Sequence, residues 1–166
     1  MNARTRIIVG LTLSFLPGSL FILGLLLLRS RGQAPWPLPW ELWGIAIGGS
    51  AALLAALADW HYHTHAAAGR VGPREEETEL VALGFGGLPL FLTMAWASRS
   101  SNPRIFLIPV VAILVFTVVM ICRDEFIFHR RRCGAWENFL HKVIVFGNGL
   151  AWLTWFHWVF VRARVL

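Results

Sequence analysis

Long apolar stretches without a charged residue alternate with short polar segments along the whole chain. There are five such stretches, and each contains between 17 and 22 residues. A helix that rises about 1.5 Å per residue needs roughly 20 apolar residues to cross the hydrocarbon core of a membrane. The pattern therefore predicts an all-α integral membrane protein, with five transmembrane helices in a single membrane domain (1–166). With their polar ends, the predicted helices cover residues 7–28, 42–65, 75–98, 105–129 and 137–161.

The composition excludes an ordinary soluble domain. Hydrophobic residues make up 57% of the chain and charged residues only 14%, whereas about a quarter of the residues in a soluble domain are charged. The net charge of +6 does not indicate nucleic-acid binding, because the arginines form short groups between the apolar stretches, as they do beside membrane helices. We therefore expect membrane lipids as partners, no nucleic acid, and other membrane proteins as further candidates.

The basic residues also favour one orientation in the membrane. With five spans, nine lysines and arginines fall on the side of the N-terminus and six on the opposite side. The cytoplasmic flanks of membrane helices carry the excess of positive charge. We therefore expect a protein of the bacterial inner membrane with its N-terminus in the cytoplasm.

The acidic residues and histidines are concentrated in two short windows. Eight of the nine carboxylates lie within residues 59–79 and 124–137, and five of the six histidines lie within these windows or directly after them. Each window contains an acid followed four residues later by a histidine, then a loop, then an acid followed four residues later by another candidate ligand. This similarity predicts a degenerate repeat of two helical hairpins, packed as a four-helix bundle: 42–65 with 75–98, and 105–129 with 137–161.

The four-residue spacing indicates a metal centre. Residues four apart face the same side of a helix, so two hairpins bring four such pairs to one side of the membrane. Carboxylate and imidazole groups without thiolate suit iron, zinc or manganese, and the set is large enough for two ions. The predicted ligands are Asp59, His63, Glu75, Glu79, Glu125, His129, Glu137 and His141, with His61, His65, Glu76 and Asp124 as second choices.

A simpler alternative places these acids at the membrane interface without any metal. Acids at the start of a helix stabilise the positive end of its dipole, which accounts for Glu75, Glu79 and Glu137. It does not account for Asp59 and Glu125, because these acids end their predicted helices.

His157 lies apart from both windows, deep in the fifth apolar stretch and among several tryptophans. We expect it to be hydrogen-bonded to another helix, and axial ligation of a haem or pigment is the alternative. Two glycine-containing segments, 84–87 and 147–149, occupy corresponding places in the two predicted hairpins. Within membrane helices such segments predict close helix packing.

These features favour a membrane metalloprotein whose carboxylate–histidine centre, at the cytoplasmic end of a helix bundle, acts on a lipid-soluble substrate. With iron the expected chemistry is oxidative, and with zinc it is hydrolytic. The alternative is a non-catalytic subunit of a larger membrane complex, associated with pigment or haem through His157.

Overall fold

A computed structural model of the chain describes residues 3–32, 39–65, 77–78, 80–123 and 134–162. The described residues are helical almost throughout, and none of them lies in a β-strand. This confirms the predicted all-α class. The five helices are α1 (Ala3–Ser30), α2 (Trp40–His65), α3 (Leu88–Arg99), α4 (Leu107–Arg123) and α5 (Ala135–Phe156).

Three of these helices extend beyond their regular α-helical part. A π-helical segment, Ala82–Gly87, leads directly into α3, and a second one, His157–Val161, continues α5. A short 3₁₀ turn, Pro103–Phe106, precedes α4. Proline suits the first position of such a turn because the amide hydrogen that it lacks would have no partner there.

Among the described residues, three helices are long and apolar enough to cross a membrane: Trp40–His63, Pro103–Arg123 and Ala135–Val161. Large apolar side chains also cover much of the described surface; Ile108 is 81% exposed and Phe146 is 73% exposed. Contiguous apolar surface of this kind is unfavourable in water and favourable in lipid. The structure thus agrees with the predicted membrane protein.

Helices α2 and α5 are antiparallel and form the most extensive helix pair of the described structure. Glycines make this close approach possible, because a Cβ at Gly48 would lie 2.6 Å from the carbonyl oxygen of Gly147. A Cβ at Gly44 would lie equally close, at 2.5 Å, to the methyl group of Thr154. The hydroxyl of Thr154 donates to the carbonyl oxygens of Leu150 and Ala151 in its own helix, so it needs no partner from α2. The predicted close packing at segment 147–149 is confirmed at Gly147.

The hydrophobic core joins α3, α4 and α5. Trp155 Nε1 of α5 also donates a hydrogen bond to the hydroxyl of Ser98 in α3, at 3.0 Å. In the π-helical segment before α3, Gly86 is buried against Thr117 of α4, which confirms the predicted close packing in segment 84–87. These contacts fix the position of α5, and with it that of α2. The buried members of the core are Leu90, Met94, Ala97, Val110, Val159 and Phe160.

Candidate metal centre

The candidate centre lies where the C-terminal part of α2 meets the N-terminal part of α5. Asp59 and His63 are one helical turn apart on α2, and Glu137 and His141 are one turn apart on α5. Because the two helices are antiparallel, both pairs lie at the same end of the helix pair. The structure thus brings together the four predicted ligands that fall within its described residues.

Asp59 is at the middle of this group. Its Oδ1 atom lies 3.6 Å from Nε2 of His63 and 3.5 Å from Nε2 of His141. On the other side of His63, Oε1 of Glu137 lies 3.2 Å from the same Nε2 atom. The side chains of all four residues are less than one-fifth exposed. Two carboxylates and two imidazoles therefore share a small, largely enclosed space.

The Oδ1 atom of Asp59 is buried, and no hydrogen-bond donor among the described residues satisfies it. A buried carboxylate oxygen without a partner carries a large desolvation cost. The two nearest nitrogen atoms, those of His63 and His141, lie beyond an ordinary hydrogen-bonding distance. A cation between these three atoms would supply the partner that Asp59 Oδ1 lacks.

Two of the separations among these atoms are of the size expected around a metal ion. In a tetrahedral site with bonds of about 2.1 Å, neighbouring ligand atoms are about 3.4 Å apart. The distances of 3.5 and 3.6 Å from Asp59 Oδ1 to the two imidazoles are close to this value. One ligand atom from each of Asp59, His63 and His141 lies within 4.8 Å of the others. Three protein ligands of this kind leave one position open, as in catalytic zinc sites.

Glu137 is held in place by the start of its own helix. Its Oε2 atom accepts a hydrogen bond from the backbone N–H of Gly134, at 3.3 Å, while Oε1 faces His63. The N-terminal end of a helix also stabilises a negative charge. Glu137 is therefore an oriented carboxylate that can accept a hydrogen bond from Nε2 of His63 when no metal is bound, or serve as a fourth ligand when this nitrogen binds a metal. Glu137 therefore does both things: it caps the start of its helix, as the interface alternative predicts, and it contacts His63 in the candidate centre.

Several predicted site residues cannot be placed in this geometry. Six of them lie outside the described residues: the predicted ligands Glu75, Glu79, Glu125 and His129, and the second choices Glu76 and Asp124. The second-choice residue His61 is described and exposed on α2, whereas for His65 only the helical backbone is described. The described part of the centre therefore holds ligands for one ion, and a second ion remains a prediction.

A second polar group, at the opposite end of the α2–α5 pair, was not predicted as a unit. Glu41 at the start of α2 is completely buried. Its Oε2 atom lies 2.6 Å from Nη1 of Arg162, and its Oε1 atom lies 3.0 Å from Nδ1 of His157. The aromatic ring of Trp40 packs against the imidazole, with ring centroids 5.2 Å apart. His157 thus contacts another helix, as the sequence predicts.

The sequence contained a signal for this second group. Glu41 is the one carboxylate outside the two acidic windows. His157 is the one histidine that lies neither within these windows nor directly after them. The α2 and α5 stretches run in opposite directions in any alternating arrangement, so the start of one and the end of the other fall on the same side. A lone acid and a lone histidine on one side of a membrane are natural partners, because unpaired ionisable groups are costly there.

No protein-family model matches the chain, and comparisons with curated proteins and with solved structures find no match either.

Proposed function

We propose that the protein is a membrane metalloprotein in which Asp59, His63 and His141 bind a divalent transition metal. The observation that carries this proposal is the buried Oδ1 atom of Asp59, which accepts no hydrogen bond from the described residues and lies between two imidazole nitrogens. Zinc, iron and manganese all accept this mixture of carboxylate and imidazole ligands. Glu137 joins the same centre as the candidate fourth ligand.

The proposal includes the finer membrane arrangement derived from the sequence. All five helices cross the bilayer, the last four form two repeated hairpins in one bundle, and the N-terminus lies in the cytoplasm of a bacterium. The metal centre is then at the cytoplasmic membrane boundary. The candidates for holding a second ion lie at the same membrane side, at the start of the predicted helix 75–98 and at the end of the predicted helix 105–129. They are Glu75, Glu79, Glu125 and His129.

The proposed substrate is lipid-soluble, because the centre lies at one end of helices with strongly apolar outer surfaces. A metal with an open coordination position supplies either an activated water for hydrolysis or a binding position for oxygen. Asp59 and His141 come from different helices, so the geometry of the centre depends on the packing of α2 against α5.

Metal analysis of the purified protein tests this proposal most directly. The protein is extracted in detergent without chelator, its metal content is measured, and the metal-free form is titrated with zinc, iron(II) and manganese(II). We expect at least one ion per chain. Asp59→Asn and His141→Ala should each weaken binding by more than about tenfold. His61→Ala is the matched control, because it removes an exposed histidine from the same helix.

The outcomes separate the proposal from its alternatives. One tightly bound ion supports a mononuclear centre, and two ions support the dinuclear form. An absence of bound metal together with no binding in the titration refutes the metal site and leaves a proton-titrating or subunit-docking cluster. A porphyrin-like absorption band that disappears in His157→Ala identifies instead a haem- or pigment-associated subunit.

A further inference from the structure

A narrow apolar groove of about 310 Å³ runs along one flank of the α2–α5 pair. Gly48 and Gly147, where the two helices make their close contact, are among its lining residues. Its walls are prominent, since Ile47 is 63% exposed and Phe146 is 73% exposed. The lining residues are Ile47, Gly48, Ala51, Lys142, Val143, Phe146, Gly147 and Leu150.

Among the described residues that line this groove, Lys142 is the one that is charged. It is exposed, and it has no ion-pair partner among the residues that the structure describes. Lys142 lies at one end of the groove, and Leu150 is about 12 Å further along α5 at 1.5 Å per residue. The groove is thus lined almost entirely by apolar atoms, and the residue at one end of it carries an exposed cation. This is the charge and polarity pattern complementary to an anionic lipid.

We infer that the groove binds one acyl chain of an anionic phospholipid from the surrounding bilayer, with the phosphate group paired to Lys142. The length of the groove, about 12 Å, and its apolar lining suit a single acyl chain. A long lysine side chain at a membrane boundary also extends towards the head groups, where the phosphate lies.

This lipid site does not depend on the metal centre. Its lining includes none of Asp59, His63, Glu137 and His141. The lipid would nevertheless contact both helices that carry these ligands, because Ile47 and Ala51 belong to α2 and Phe146 and Leu150 belong to α5. A bound acyl chain therefore covers the outer seam of the helix pair.

Photo-crosslinking in vesicles tests the site. The full-length protein is reconstituted in phosphatidylcholine containing a small fraction of phosphatidylglycerol with a photoreactive group near the middle of one acyl chain. We expect crosslinks concentrated on Phe146, Leu150 and Ile47. Lys142→Gln should reduce this labelling about fivefold, which corresponds to the roughly 1 kcal/mol that one basic side chain contributes near an anionic surface.

Two control variants distinguish the site from general charge attraction. Lys142→Arg retains the cation and should keep the labelling, whereas Arg123→Gln removes an exposed cation at the end of α4 and should leave groove labelling unchanged. Ala51→Phe fills the groove and should abolish the crosslinks. The inference is overturned if a photoreactive phosphatidylcholine labels the same residues equally well, or if Lys142→Gln and Arg123→Gln have the same effect.

Discussion

Replacing Gly48 with alanine tests whether the close contact between α2 and α5 holds the metal centre together. The added Cβ would lie 2.6 Å from the carbonyl oxygen of Gly147 and 2.9 Å from the backbone nitrogen of Ala151. Both atoms belong to the helix backbone, so neither can rotate away. Because comfortable contacts begin at about 3.5 Å, the two helices must separate by roughly 0.9 Å at this point.

This separation should affect both stability and metal binding. Overpacking of a close contact typically costs about 1–3 kcal/mol. Asp59 lies eleven residues further along α2, which is about 17 Å at 1.5 Å per residue. Asp59 and His141 lie on different helices, so separating the helices lengthens the distance between them. The distance between Asp59 and His63 stays the same, because both residues lie on α2. Since metal sites tolerate changes of only about 0.2 Å, we expect the affinity to fall at least about tenfold.

Gly49→Ala is the matched control, because nothing lies within 4 Å of a Cβ built at that residue. Alanine is also the better helix former, so the control should be at least as stable as the parent protein. Thermal melting in detergent gives the change in stability, and calorimetric titration of the metal-free protein gives the affinity. If Gly48→Ala and Gly49→Ala have equal melting temperatures, the close contact between α2 and α5 does not exist. Equal affinities with unequal melting temperatures would show that the centre is independent of this contact.

Four further predictions concern the two polar groups and the orientation. Removing metal with a chelator should lower the melting temperature, because the bound cation compensates the charges of two neighbouring carboxylates. His141→Ala should abolish most of this decrease. If the variant shows the same decrease as the parent protein, the metal binds elsewhere. Glu137→Gln should retain the hydrogen bond from Gly134 and the thermal stability of the metal-free protein, but it should weaken metal affinity in the same titration because the charge beside the imidazole is lost. Arg162→Ala should cost at least about 2 kcal/mol in a denaturation experiment, because it leaves the buried Glu41 with an uncompensated charge, whereas replacing both residues by leucine should restore much of the stability. A reporter fused at the C-terminus should behave as exported, and cytoplasmic activity there would contradict the orientation or the number of spans.

The helices could be predicted from the sequence because their boundaries follow charges and prolines. The predicted helix 42–65 corresponds to α2 (Trp40–His65), and the predicted start at residue 137 lies within the first turn of α5 (Ala135–Phe156). The π-helical segments could not be predicted, since they depend on contacts such as that of the buried Gly86 with Thr117. Periodicity within one helix contains no information about such contacts.

The candidate centre was predictable for a geometric reason. An acid and a histidine four residues apart must share a helix face, so only the packing partner of that face remained to be found. The sequence predicted two hairpins, 42–65 with 75–98 and 105–129 with 137–161, whose ligands meet in one bundle, but not which helices pack most closely. In the described structure α2 pairs most extensively with α5, so Asp59 meets His141 from the other predicted hairpin. Glycines at residues 48 and 147 decide this pairing, and their mutual position is a property of the folded chain.

The pairing of α2 with α5 has a consequence for how the protein is made. Chains emerge from the ribosome N-terminal end first, so α2 is synthesised before the two helices that separate it from α5. Until α5 arrives, Glu41 lacks Arg162 and His157, and Asp59 lacks His141, although ionisable groups without partners are costly in a membrane helix. Arrival of α5 supplies the partners of Glu41 and completes the candidate ligand set around Asp59 in one event. A nascent chain that stops before α5 thus carries a buried-type acid at each end of α2 without the groups that α5 contributes, so we expect α2 to be stable in the membrane only once α5 has been made.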